Sequence, residues 1–135
     1  MTRLALLLAV PLLATACGDT NPPGVVAADA ARDSYTISVA ADDKSPATTW
    51  RLTCEPAGGD HPDPTAACDA LEKAADPFGP VEPDTACTEI YGGPETATIT
   101  GTRNGAPVEA KYSRINGCEI SRWDAIAAVI PGAVR

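Results

Sequence analysis

Ser34-Tyr35-Thr36-Ile37-Ser38-Val39 and Thr48-Thr49-Trp50-Arg51-Leu52-Thr53-Cys54 decide the fold class. In the first stretch Tyr35, Ile37 and Val39 fall on one side and Ser34, Thr36 and Ser38 on the other. In the second, Trp50, Leu52 and Cys54 alternate with Arg51 and Thr53. A period of two places one face against a core and the other in water, which is the pattern of a half-buried strand. Between them Asp42-Asp43-Lys44-Ser45-Pro46 supplies turn chemistry, so the two strands form a hairpin.

Outward from that hairpin, Pro56, Gly58, Gly59, Pro62 and Pro64 break the chain. Asp63 before Pro64 offers a helix cap followed by a first-turn proline, and a helix is predicted from Pro64 to about Ala75. Cys68, Leu71 and Ala75 share one helical face. Asp76-Pro77 ends it. Residues 78–86 hold two prolines, Pro80 and Pro83, and no period. A third strand over Thr96–Thr102, a turn at Asn104-Gly105 and a fourth strand around Val108, Ala110 and Tyr112 follow, with Pro107 marking an edge or an irregular start. The tail from Glu119 to Val129 leaves two readings open. Trp123, Ile126 and Ile130 fit a helical stripe capped by Ser121, and Ala125 to Ile130 fits a short apolar strand.

Near its start the chain of 135 residues carries the basic Arg3, an apolar run from Leu4 to Leu13, and Ala14-Thr15-Ala16 before Cys17. Such a run is too short to span a bilayer, which takes roughly 20 residues, and reads as a signal peptide over 1–16. The cut before Cys17 fits an ordinary secretory site and also a bacterial lipoprotein box. Four other cysteines, Cys54, Cys68, Cys87 and Cys118, form an even set, and the odd Cys17 beside the cut favours a lipid anchor in the membrane. Residues 17–32 are rich in Gly, Pro, Asn, Asp and Ala and read as a tether. Residues 33–135 are left as one extracytoplasmic domain with few aromatics, in which disulfides matter.

A net charge of −8 argues against nucleic acid as a partner. No cofactor or metal is implied, because the cysteines at 54, 68, 87 and 118 lack the close pairs of a zinc site. His61 is the single histidine. It sits in a Gly, Asp and Pro loop without a nucleophile beside it, and reads as a packed turn residue rather than a base. Asp60, Asp63, Glu82, Asp84 and Glu95 read as solvated loop carboxylates. The chain is therefore not read as an enzyme.

Ala86-Cys87-Thr88-Glu89-Ile90-Tyr91 is the remaining informative segment. From its residues alone it is an edge strand beside a cystine. Taken with Leu52-Thr53-Cys54-Glu55-Pro56, Gly59-Asp60-His61-Pro62, Ala67-Cys68-Asp69-Ala70-Leu71 and Asn116-Gly117-Cys118-Glu119, it resembles the Streptomyces subtilisin inhibitor family of secreted serine protease inhibitors. The resemblance runs from about Tyr35 to Glu119.

It implies an α+β fold: an antiparallel sheet of about five strands with two helices on one side, often as a homodimer. It also implies the disulfides Cys54–Cys68 and Cys87–Cys118, where the cysteine count alone leaves three pairings open. The partner implied is an extracellular serine protease, bound by a rigid substrate-like loop. Carried onto this chain, Cys87 anchors the loop, Thr88 precedes the specificity residue, Glu89 fills the primary pocket, Ile90 follows the reactive bond and Tyr91 is the next contact. Asn116 matches the residue that supports the loop from beneath by hydrogen bonds. The family commonly places Met, Lys or another large residue where Glu89 stands, so this resemblance points to a glutamate-specific protease. Gly92-Gly93-Pro94 makes a longer, more flexible exit than usual. The competing expectation is a cell-surface lipoprotein module that keeps this fold and inhibits nothing.

Overall fold

In the computed structural model, which describes residues 31–132, seven elements follow one another. They are β1 (Asp33–Ala40), β2 (Thr48–Cys54), β3 (Gly58–Gly59), α1 (Pro64–Lys73), β4 (Gly93–Arg103), β5 (Ala106–Arg114) and α2 (Gly117–Ala125). The signal peptide, Cys17 and nearly all of the tether lie outside the described residues.

The strands form one antiparallel five-stranded sheet in the order β3-β2-β1-β4-β5. Register follows the alternation read from the sequence. Tyr35 pairs with Leu52, and Ile37 pairs with Trp50 on one side and Ile99 on the other, so the apolar residues share a face. Tyr35, Ile37, Leu52, Cys54, Ala97, Ile99, Ala110 and Tyr112 are buried there. Ala67 and Leu71 of α1, Trp123 of α2, and Ile126, Val129 and Ile130 beyond it close the core from the same side. The other face carries Ser34, Thr36, Ser38, Thr49, Thr98, Thr100 and Thr102. Hydroxyl pairs such as Ser38–Thr49 at 3.1 Å cross it. Among the described residues it has no large apolar side chain for a dimer to bury.

Local chemistry sets the ends of these elements. Asp42 Oδ1 accepts the N–H groups of Lys44 and Ser45, which turns β1 into β2. Asp63 caps α1 through Ala66 N–H at 3.0 Å, with Pro64 at its first position, as the sequence indicates. The helix stops at Lys73, two residues before Ala75, because Ala74 is already extended. The chain turns there to carry Pro77 to the core, where its carbonyl accepts the Tyr112 hydroxyl at 2.5 Å. Asn104 and Gly105 both adopt positive φ, 50° and 78°, as a two-residue hairpin turn requires. Pro107 does sit on an edge strand, β5.

The open question of the tail resolves as a helix that begins earlier than Ser121. Asn116 accepts Glu119 N–H and caps α2, while Ser121 lies inside it with its hydroxyl on Gly117 O. The apolar run from Ile126 continues as turns that bury Ile126, Val129 and Ile130, rather than as a strand.

Burial pushes the Tyr112 phenol up to about 12 from 10.0, with the charges of Asp76 and Glu119 adding to the rise and Arg122 opposing it. A raised folded-state value means that this stabilisation is complete below pH 10, where the unfolded phenol stays neutral. It is lost as pH climbs towards 12. Urea midpoints should therefore decline as the pH rises from the ordinary phenol value of 10.0 to about 12. Tyr112→Phe should flatten that fall.

Candidate functional site

Between α1 and β4 the chain has no regular secondary structure from residue 81 to residue 92 apart from one turn, yet it is held at many points. Upstream, Tyr112 holds Pro77. Arg122 reaches from α2 with Nε on Gly79 O at 2.8 Å, its guanidinium 4.8 Å from the Tyr112 ring centroid and 2.7 Å from Glu119. Cys87 then pairs with Cys118, at a Cα separation of 5.3 Å, and Cys54 pairs with Cys68. Both pairings are those that the resemblance implies.

Beyond Cys87 two backbone hydrogen bonds define a small frame. Gly117 N–H donates to Thr88 O at 2.9 Å, and Gly92 N–H donates to Arg114 O at 2.7 Å. The segment from Thr88 to Gly92 is thus tied across the shorter segment from Arg114 to Gly117. Its extra residue has to bow outward. Glu89, Ile90 and Tyr91 lie on that bow and are exposed, Ile90 at 60% and Tyr91 at 64%. Among the described residues Glu89 has no ion-pair partner.

The frame is anchored in the core. Arg114, whose carbonyl holds the loop exit, places its guanidinium 5.9 Å from the Trp123 ring centroid and 3.5 Å from Glu95. Glu95 is therefore a half-buried partner in an ion pair and not a solvated carboxylate. The exit is pinned rather than loose: Gly92 is hydrogen-bonded and Gly93 already pairs with Arg114 as the start of β4. Gly117 is the other close approach. A Cβ there would overlap the Thr88 hydroxyl, so glycine lets the helix start lie directly under the loop.

Asn116 lies between Arg114 and Gly117, the two residues bonded to the loop, and its own side-chain hydrogen bond accepts Glu119 N–H at 2.9 Å, within α2. The bond that reaches the loop comes from its neighbour, Gly117. Sequence reading missed Gly117 and Arg114, because their roles depend on strand pairing across 22 to 29 positions (Arg114 less Gly92, and Gly117 less Thr88). No local pattern reports that.

His61 is buried with both ring nitrogens engaged. Nδ1 accepts Asp63 N–H at 3.1 Å, and Nε2 donates to Val129 O at 3.2 Å. It joins the β3–α1 connection to the tail. Asp63, beside it in the same cleft, is occupied in capping α1.

The sequence model of the subtilisin inhibitor-like family matches residues 32–116. The chain belongs to that family. It is 34% identical over 79 residues to subtilisin inhibitor-like protein 1 of Streptomyces cacaoi, covering 55% of this chain and 71% of that one. It is also similar to a crystal structure of Streptomyces caespitosus sermetstatin in complex with Bacillus licheniformis subtilisin. That match has 25% identity and a TM-score of 0.48, over 74% of this chain and 97% of that one. As a subtilisin inhibitor-like domain, it carries its distinguishing geometry on a convex loop rather than in a cleft.

Proposed function

We propose that the domain inhibits an extracellular serine protease by offering the Glu89–Ile90 bond as a substrate that is cut slowly and resealed. The observation that supports this is the frame of three ties around an exposed bow: the Cys87–Cys118 disulfide, Gly117 N–H on Thr88 O, and Gly92 N–H on Arg114 O. A segment ordered before binding loses little entropy on entering a cleft, so more of its contact energy appears as affinity. The same ties bear on cleavage. After the protease serine attacks the Glu89 carbonyl, the freed Ile90 amine stays held near the acyl group, and its return competes with water at a high effective concentration. Glu89, exposed and without an ion-pair partner among the described residues, is free to enter a basic pocket. Asn116 supports the loop through the helix start that it caps.

The test is titration of the secreted form lacking residues 1–17 against a panel that includes a glutamate-specific endopeptidase, subtilisin and trypsin. Stoichiometric inhibition, with slow equilibration between intact and Glu89–Ile90-cleaved forms, is the expected result. Simple turnover of the loop without a stable complex with any enzyme would sink the reading and favour a fold kept as an interaction module.

The domain is further proposed to be exported and held by lipid on Cys17. β1 begins at the end of the sheet where β4 finishes, since Ser34 pairs with Thr102, whereas the loop enters β4 at Gly93. The start of β1 and the loop thus lie at opposite ends of the 11-residue β4, roughly 35 Å apart. A tether leading from residue 31 would leave the loop clear of the membrane. A Cys17→Ser precursor should appear in the culture medium, and unchanged partition between membrane and medium would refute the anchor.

A further inference from the structure

The exposed large apolar side chains among the described residues are Ile90, Tyr91 and Ile115, at 60%, 64% and 61%. Single exposed apolar residues are ordinary on a protein surface. Here they converge on one place from two separate parts of the chain. Arg114 and Gly117 bond to Gly92 and Thr88 respectively, so Ile115 lies within the frame, next to the residue that holds the loop exit. Gly93 pairs with Arg114 at the start of β4, so Ile115 continues that antiparallel run towards Gly92, the residue after Tyr91, on the side of the bond that would leave as the amine.

Ile115 has no evident task in the fold. The core cluster excludes it, and it follows β5 without belonging to α2. A bare isoleucine there costs solubility and gives the free domain nothing in return.

We propose that Ile115 is a second contact residue for the protease, forming with Ile90 and Tyr91 an apolar rim that covers the leaving-group side of the enzyme's cleft. This rests on the inhibitory reading above and extends the contact surface from one segment to two. The rim would select enzymes with an apolar border on that side, independently of the primary pocket that Glu89 addresses. Binding would cover all three side chains together, and contact residues that become fully desolvated dominate interface energies.

Ile115→Ser, Ile115→Asp and Ile115→Leu test this against a protease that the unsubstituted domain inhibits. Ser should raise the inhibition constant roughly 10-fold, Asp more, and Leu little, with the change in the dissociation rate. Thermal stability and the rate at which the Glu89–Ile90 bond is cut should stay the same. A merely structural role would loosen the frame and speed cleavage, so a weakened inhibitor that is also cut faster overturns the proposal. Unchanged inhibition by Ser and Asp overturns it too. A concentration-dependent dimer of the free domain that Ile115→Asp dissolves would assign the patch to self-association instead. If the unsubstituted domain inhibits no enzyme of the panel, the inhibitory reading falls and this proposal falls with it; inhibition that is indifferent to residue 115 removes only the second contact.

Discussion

Replacing Glu89 by lysine should turn the domain towards trypsin-like enzymes, and replacing it by methionine towards subtilisin-like ones, with no change in folding. The absence of a folding cost follows from the site. Glu89 is exposed on the bow, has no ion-pair partner among the described residues, and contributes nothing to the core. The size of the switch follows from the pocket. A carboxylate pushed into an apolar or acidic pocket loses its water without gaining a partner, whereas lysine opposite a buried acid gains a charge-assisted contact. Removing one partner of a desolvated pair typically changes binding by roughly 10²- to 10⁴-fold. Glu89→Lys should therefore strengthen trypsin inhibition by about that factor and abolish inhibition of a glutamate-specific enzyme. Inhibition constants for the three forms against the three enzymes decide the matter. If the preferences of all three are identical, residue 89 does not fill the primary pocket.

Much of the architecture behind that prediction is legible in the sequence because it is local. The alternation in Ser34–Val39 and Thr48–Cys54 reflects a sheet with one face in water, and β1 and β2 occupy those stretches to within a residue or so. Asp63-Pro64 and Asn104-Gly105 mark a helix start and a hairpin turn through their own backbone preferences, with no distant partner needed. By contrast β3 is two glycines whose pairing with Leu52 and Thr53 has no side-chain signature, and the sequence shows only a broken stretch there. The start of α2 was hidden for a different reason. Asn116 and Glu119 satisfy the spacing of a capping pair, but the resemblance draws attention to Asn116 as loop support, and the apolar stripe begins only at Trp123.

The loop shows the same division. The resemblance names its residues and implies that they are held rigidly, but it does not show which bonds hold them. The ties at Thr88 and Gly92 are backbone bonds to residues far along the chain, and the flexible exit suggested by Gly92-Gly93-Pro94 is pinned by one of them. Glycine there serves close approach: a side chain at Gly92 would press on Ile120 and on Arg114. A glycine pair read for its freedom in isolation is, in the fold, a place where two segments touch.

Opening the two disulfides separately should divide stability from inhibition. Cys54–Cys68 joins β2 to α1, and its loop spans 14 positions; Cys87–Cys118 joins the loop to α2 and spans 31. On the loop-entropy account they contribute about 3 and about 4 kcal/mol respectively, each a large share of the roughly 5–15 kcal/mol that ordinarily holds a domain folded. Paired Ser substitutions at either site should lower the denaturation midpoint by similar amounts. Their effects on the protease should differ. Without Cys54–Cys68, the folded fraction keeps the frame under Thr88, so its inhibition constant should be unchanged. Without Cys87–Cys118, Thr88 is held by Gly117 N–H alone, the amine released on cleavage is no longer kept opposite a fixed acyl group, and the loop should be consumed as a substrate. An increase of about 10²-fold or more in the inhibition constant, with faster cleavage at Glu89–Ile90, corresponds to losing part of the ordering that an intramolecular reaction supplies. Near-UV circular dichroism at the temperature of the assay separates this from unfolding. If both double variants weaken inhibition equally while remaining folded, the cystine beside the loop acts on the stability of the whole domain, and the rigidity of the bow must come from its hydrogen bonds.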